Sequence, residues 1–171
     1  MCAPAPRLPA AARCCDTRVL DRLVIRPALP GERAALEALQ LRASLIWEEY
    51  RDDLAAHADA IALTPGAIEE LRVRVASTPG EVVGFAEWSV ASDGEWELEG
   101  LFVEPSVMRR GIGGALLEDV LGLARDGGVR RVAVVAEPHA VAFYARCGFT
   151  REGDVPTRFG PAVRMAADLA G

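Results

Sequence analysis

The residues best suited to chemistry lie close together. Leu98 to Leu117 reads LEGLFVEPSVMRRGIGGALL. An extended apolar run reaches a break at Pro105. A turn holding Arg109, Arg110, Gly111, Gly113 and Gly114 then leads directly into an apolar helix. Glycine lets backbone approach a ligand without an intervening Cβ. A helix start offers unpaired N–H groups and the positive end of its dipole. Together these predict a phosphate cradle, and two adjacent arginines suit a pyrophosphate. On the preceding strand, parity puts Glu97 and Glu99 on one face and Leu98 and Phe102 on the other. Two carboxylates on a half-buried strand are costly unless they are paired or hold their protons. Glu104, beside Pro105, reads as a surface residue.

Two other phosphate-binding turns do not fit. A dinucleotide-binding turn needs Gly-x-Gly-x-x-Gly, and Leu116 stands where the third glycine belongs. A P-loop needs a lysine, and all 19 basic residues here are Arg. An ordinary glycine-containing strand-to-helix loop is the plain structural alternative.

The elements that must position this stretch follow from the rest of the chain. It has 171 residues, 51% of them hydrophobic and 26% charged, which suits a single domain with a full core. No apolar run approaches the length of roughly 20 residues that spans a membrane. A net charge of −6 argues against nucleic acid as a partner and biases weakly toward cationic substrates. His57 and His139 are isolated and the four cysteines form no C-x-x-C pair, so no metal is expected. Cys2, Cys14, Cys15 and Cys147 read as reduced thiols of a cytoplasmic protein.

Residues 1–18 are rich in Ala and Pro and read as a disordered tail, not a signal peptide. Residues 19–171 read as one domain. Arg22 to Arg26 alternates as a strand, and a helix starts at Pro30-Gly31-Glu32. Ser44 to Asp53 predicts a second helix running to about Ala58, and Thr64-Pro65-Gly66 breaks the chain. Strands follow at Arg72–Ala76, Glu81–Val90 and Glu95–Val103, with turns at Ser77–Gly80 and Asp93-Gly94. Gly100 within the last of these marks a bulge. A helix over Gly111–Asp126 stops at Gly127-Gly128. Arg130–Ala136 (RRVAVVA) is a nearly continuous β-branched run and predicts a strand buried on both faces. A helix over Pro138–Cys147 and strands from Phe149 to Glu152 and Ala162 to Leu169 complete an α+β fold. Its sheet has six to seven strands of mixed direction, with helices on both faces.

The turn Met108-Arg109-Arg110-Gly111-Ile112-Gly113, after V-E-P and before Gly114-Ala115-Leu116-Leu117, resembles the acetyl-CoA motif of the GNAT superfamily of N-acetyltransferases. Met108 departs from the Gln or Arg usual there. A second stretch, AFYARCGF from Ala142 to Phe149, is similar to the family's A-x-x-x-Y-x-x-x-G-F. The resemblance runs from about Leu23 to Leu169. It implies the GNAT fold, acetyl-CoA as co-substrate, and an amine acceptor on a small molecule or peptide.

It also implies roles. Backbone from Met108 to Ala115 would hold the pyrophosphate, and backbone of Leu101, Phe102 and Val103 would run along the pantetheine arm. Tyr144 would protonate the departing thiolate; its plain alternative is an aromatic packed on the sheet. Glu97, or alternatively Glu99, would take the amine proton; the plain alternative is a pair of surface carboxylates. The bulge at Gly100 would turn N–H groups toward the thioester carbonyl. Glu137 departs from an Asn common in the family. Gly148 and Phe149 are explained by a helix C-cap. Acceptor recognition would fall to Trp47–His57 and Pro156–Arg164, where Trp47, Glu48, Glu49, Tyr50, Asp52 and Asp53 form an aromatic and acidic edge. The rival reading is a non-catalytic acyl-CoA-sensing module. A homodimer is compatible with either reading.

Overall fold

Alternating and helical patterns resolve into one sheet, covered among the described residues by three α-helices of known extent. The computed structural model describes residues 22–48, 51 and 61–169. The tail of residues 1–18 lies outside them, as do residues 49, 50 and 52–58 of the expected second helix; its described start is not a new helix, since Ser44 ends the first helix and Leu45-Ile46 form a turn. The strands are β1 (Val24–Pro27), β2 (Val73–Thr78), β3 (Glu81–Ser92), β4 (Glu95–Val103), β5 (Arg131–Ala136), β6 (Thr150–Thr157) and β7 (Gly160–Asp168). The helices are α1 (Arg33–Ser44), α2 (Ile112–Asp126) and α3 (Val141–Arg146). The sheet order is β1-β2-β3-β4-β5-β7-β6. Only the β4–β5 pair is parallel; the other neighbours are antiparallel. Among the described residues no helix is long and apolar enough to cross a membrane.

Each sheet face has its own core. On one face α2 buries Ile112, Leu116, Leu117, Val120, Leu121 and Ala124, a stripe at helical spacing, against Ala86, Trp88, Leu98, Val134 and Met165. On the other face α1 buries Leu36 and Leu39 against Val73, Val75 and Phe85. A fully buried leucine such as Leu36 or Leu116 contributes about 1.5–3 kcal/mol.

Several expectations need correction. Leu98 and Phe102 do not share a face. Leu98 packs in the α2 core, whereas Phe102 packs in the α1 core. The cause is a bulge: Trp88 pairs with Leu98 and Glu87 with Gly100, so Glu99 is the extra residue and the alternation flips. β5 is not buried on both faces, because Val135 is 38% exposed. The first and last helices begin as 3₁₀ turns at Pro30–Glu32 and Pro138–Ala140. α2 starts at Ile112 with Gly111 as its N-cap. The β2–β3 turn is only Pro79-Gly80. β6 runs on to Thr157 because it pairs with β7 along its length; it is an edge strand, where Pro156 is tolerated.

Candidate active site

The glycine turn adopts the backbone that a cradle needs. Arg109 has φ 62° and Gly111 φ 89°, both left-handed. Only glycine holds such a φ without steric cost, which accounts for Gly111. The first helical bond runs from Ala115 N to Gly111 O at 3.0 Å, and no side chain caps the helix. The N–H groups of Ile112, Gly113 and Gly114 therefore have no intrahelical acceptor. A Cβ at Gly114 would meet nothing within 4 Å. One at Gly113 would make ordinary contacts, 3.6 Å from Phe143 and 3.7 Å from Val103. Arg109 is exposed; Met108 and Arg110 are half-buried.

Upstream, β4 and β5 separate. They pair from Glu95–Arg131 to Leu98–Val134 and no further. From Gly100 to Val103, β4 keeps only its β3 partner. Every second residue there turns its N–H and C=O away from β3, into the gap. This open edge runs through Leu101, Phe102 and Val103 toward the turn at the head of α2.

The bulge at Glu99 lies where the gap opens. Glu97 and Glu99 do share a face, and both adjoin Ser89. Ser89 pairs with Glu97 in register, and its Oγ donates to Glu99 Oε1 at 2.5 Å. The two carboxylates differ in surroundings. Glu97 accepts from both Arg164 nitrogens, at 3.3 and 3.0 Å. Arg164 also approaches Glu95 at 3.5 Å and Glu152 at 3.7 Å. Glu99 is exposed, and Ser89 is its partner. A third carboxylate, Glu87, stands on the same face and is the one buried charged residue among those described. Glu104, half-buried, pairs with Arg42 at 2.8 Å.

Tyr144 is buried in the α2 core, its ring against Phe143 and Phe149. Burial pushes its hydroxyl well above the usual phenol range, and nearby Cys147 and Glu137 add to the shift. The phenol therefore stays protonated, as a donor must. Its hydroxyl makes no hydrogen bond among the described residues, none of whose fully buried side-chain polar atoms lacks a partner. The hydroxyl oxygen is thus not fully buried. Gly148 has φ 91° and Phe149 N bonds Tyr144 O at 3.1 Å, as the C-cap reading expects. Cys147 is half-buried and burial pushes its thiol up, which disfavours an acyl-carrying thiolate.

On the edge expected to meet the acceptor, Trp47 stacks on His139 with ring centroids 3.8 Å apart. His139 is an exposed residue. Glu48 is exposed, whereas Glu49, Tyr50, Asp52 and Asp53 fall outside the described residues. The β6–β7 hairpin turns at Arg158-Phe159, with the guanidinium 4.7 Å from the ring centroid. Among the described residues no three His, Cys, Asp or Glu groups are placed to hold a metal.

Sequence reasoning missed Glu87, the Arg164–Glu97 pair and the strand separation. Glu87 had a signal: it is one carboxylate inside the apolar run VVGFAEWSV, at the parity of buried Phe85. The other two depend on register between strands distant in sequence and had none.

Comparison with known proteins agrees with this geometry. Residues 34–149 match the model of the acetyltransferase (GNAT) family. Aminoglycoside N(6')-acetyltransferase type 1 of Stenotrophomonas maltophilia is 33% identical over 136 residues, 73% of this chain and 84% of that protein. The ribosomal-protein-S18-alanine N-acetyltransferase of Escherichia coli has a similar structure, with a TM-score of 0.66 and 22% identity over 87% of this chain and 95% of that one. PaiA N-acetyltransferase of Thermoplasma acidophilum, solved with coenzyme A, has a TM-score of 0.67 and 18% identity over 85% of this chain and 98% of its own. The chain belongs to the GNAT family and is an N-acetyltransferase.

Proposed function

We propose that the enzyme transfers the acetyl group of acetyl-CoA to an amine of a small molecule or peptide, by direct attack in a ternary complex. The observation that carries this reading is the continuous path from the Glu99 bulge, along the unpaired edge of β4, to the uncapped head of α2. An extended pantetheine arm suits that edge, because it can exchange amide hydrogen bonds as a strand does. A pyrophosphate suits the N–H groups of Ile112 to Gly114, with Arg109 and Arg110 beside them. Met108 need supply only backbone, so its departure from the family pattern costs little. In the family whose solved structures include a coenzyme A complex, this co-substrate fits the residues present.

An alkylammonium must lose a proton before its nitrogen can attack, since its pKa lies near ~10. Of Glu97 and Glu99, Glu99 is the better base. Arg164 occupies both oxygens of Glu97, whereas the Ser89 hydroxyl leaves Glu99 with lone pairs for a water or an ammonium. Backbone N–H groups at the bulge suit the oxyanion formed on attack. When the tetrahedral species collapses, Tyr144 donates its proton to the leaving sulfur. The burial that raises the phenol also raises the basicity of a thiolate expelled beside it, which keeps the pair near matched. No observation favours a non-catalytic sensing role over this one. The test is acetyl-CoA turnover by the wild type and by Glu99→Gln with an excess of amine. A fall in the Gln variant at neutral pH, recovering as pH rises, is expected. An unchanged rate at all pH values would remove Glu99 from the mechanism.

A further inference from the structure

We infer that Glu87, which the mechanism above leaves unused, binds the ammonium group of the acceptor. The inference rests on the acetyl-transfer reading and names the residue that selects a cationic amine.

Glu87 is 6% exposed, between buried Ala86 and Trp88. Charge without a partner is disfavoured in such surroundings. The other shielded carboxylates each have a guanidinium: Glu32 has Arg26, Asp119 has Arg74 and Glu97 has Arg164. Glu87 has none among the described residues. Its one partner is the backbone N–H of Thr64, which donates to Oε1 at 2.9 Å. Arg33 reaches the same loop but bonds the carbonyls of Leu63 and Thr64 instead. Oε2 is therefore unbonded. No fully buried side-chain polar atom among the described residues lacks a partner, so Oε2 retains access to solvent. A carboxylate held by one oxygen and open at the other is poised to accept a cation.

Its position supports this role. Glu87 pairs with Gly100 at the bulge, and Ser89, two residues on, adjoins Glu97 and Glu99. β3 keeps its alternation there, so all three carboxylates share one face. Arg164 is the guanidinium paired with that trio, and it serves Glu97. The trio therefore has three carboxylates to one guanidinium. The ring of Phe102 lies over Gly100, since a Cβ there would come within 2.7 Å of it. A carboxylate with an aromatic ring close by suits an alkylammonium. An amine anchored at Glu87 would stand beside Glu99, ready to pass on its proton.

The competing explanation is that Glu87 only pins the loop at Thr64. Glu87→Gln separates the two, because the amide oxygen still accepts from Thr64 N–H while the charge is gone. Spermidine and kanamycin are titrated calorimetrically into enzyme saturated with CoA. Glu87→Gln should bind them on the order of 10- to 100-fold more weakly, with CoA affinity and melting temperature unchanged. Glu87→Asp, which keeps the charge and loses the reach to Thr64, should bind them within a few-fold of wild type. Equal binding by wild type and Glu87→Gln, or an Asp variant as weak as Gln, would make Glu87 a loop pin. Absence of binding of both amines to the wild type would also overturn the inference. The underlying reading is judged separately, by whether wild type acetylates any amine, neutral arylamines included.

Discussion

Replacing Tyr144 with Phe removes one hydroxyl and nothing else. The ring keeps its contacts with Phe143 and Phe149, at centroid distances of 5.1 and 5.4 Å. No hydrogen bond among the described residues is lost, so the stability change should stay below about 1 kcal/mol. Tyr144→Ala, by contrast, would empty a buried site and cost about 3–5 kcal/mol. A general acid contributes ~10²–10⁴ in rate, or about 2.7–5.4 kcal/mol of barrier. The catalytic effect of Tyr144→Phe should therefore exceed its effect on stability several-fold. Single-turnover acetyl transfer, with CoA affinity measured by calorimetry and melting followed in parallel, separates the two. The expected pattern is a rate at least ~100-fold lower, unchanged affinity and nearly unchanged melting. A Phe variant that turns over as fast as wild type when chemistry is limiting would leave Tyr144 as a packing aromatic.

The other predictions concern the cradle, the base and alkaline stability. Gly113→Ala should bind CoA nearly as wild type, because its Cβ has room at 3.6–3.7 Å from its neighbours, whereas Gly113→Asp should bind at least ~10-fold more weakly through charge at the helix start; calorimetry on both variants checks this. The Glu97→Gln, Glu99→Gln double variant should lose activity at neutral pH and regain part of it at high pH. Full activity across a pH–rate profile would exclude both carboxylates. Tyr144 is raised in the folded state, so its contribution is complete below the unfolded phenol value near ~10 and is lost as pH rises above it. Denaturant titrations above that pH should show wild type losing up to about 1.4 kcal/mol per pH unit relative to Tyr144→Phe.

Much of the fold was readable because local patterns agreed with tertiary ones. β4 occupies the residues expected, Glu95 to Val103, since turn residues bracket it and its alternation is strong. The glycine turn and the Gly148 cap were legible because left-handed backbone leaves a mark in residue type. Gly100 marks the bulge, but residue type does not say which residue is extra: the insertion at Glu99 moves Phe102 to the opposite core. The β4–β5 separation depends on where pairing ends, which neither strand records in its own sequence. The same holds for Arg164 and Glu97, which lie 67 residues apart and meet only through the strand order β4-β5-β7. Glu87 carried a local signal, a carboxylate at the parity of Phe85 in an apolar run, but its hydrogen bond to the Thr64 backbone depends on a loop 23 residues away.

The central claim is that acetyl-CoA lies along the open edge of β4 and gives its acetyl group to an amine. Thiol release from acetyl-CoA, measured across a panel of polyamines, aminoglycosides, arylamines and peptide N-termini with mass spectrometry of the products, tests it most directly. The account predicts amine-dependent thiol release with a matching acetylated product, abolished by Gly113→Asp at low acetyl-CoA. Tight coenzyme A binding with no acetylated product from any amine in the panel would contradict it.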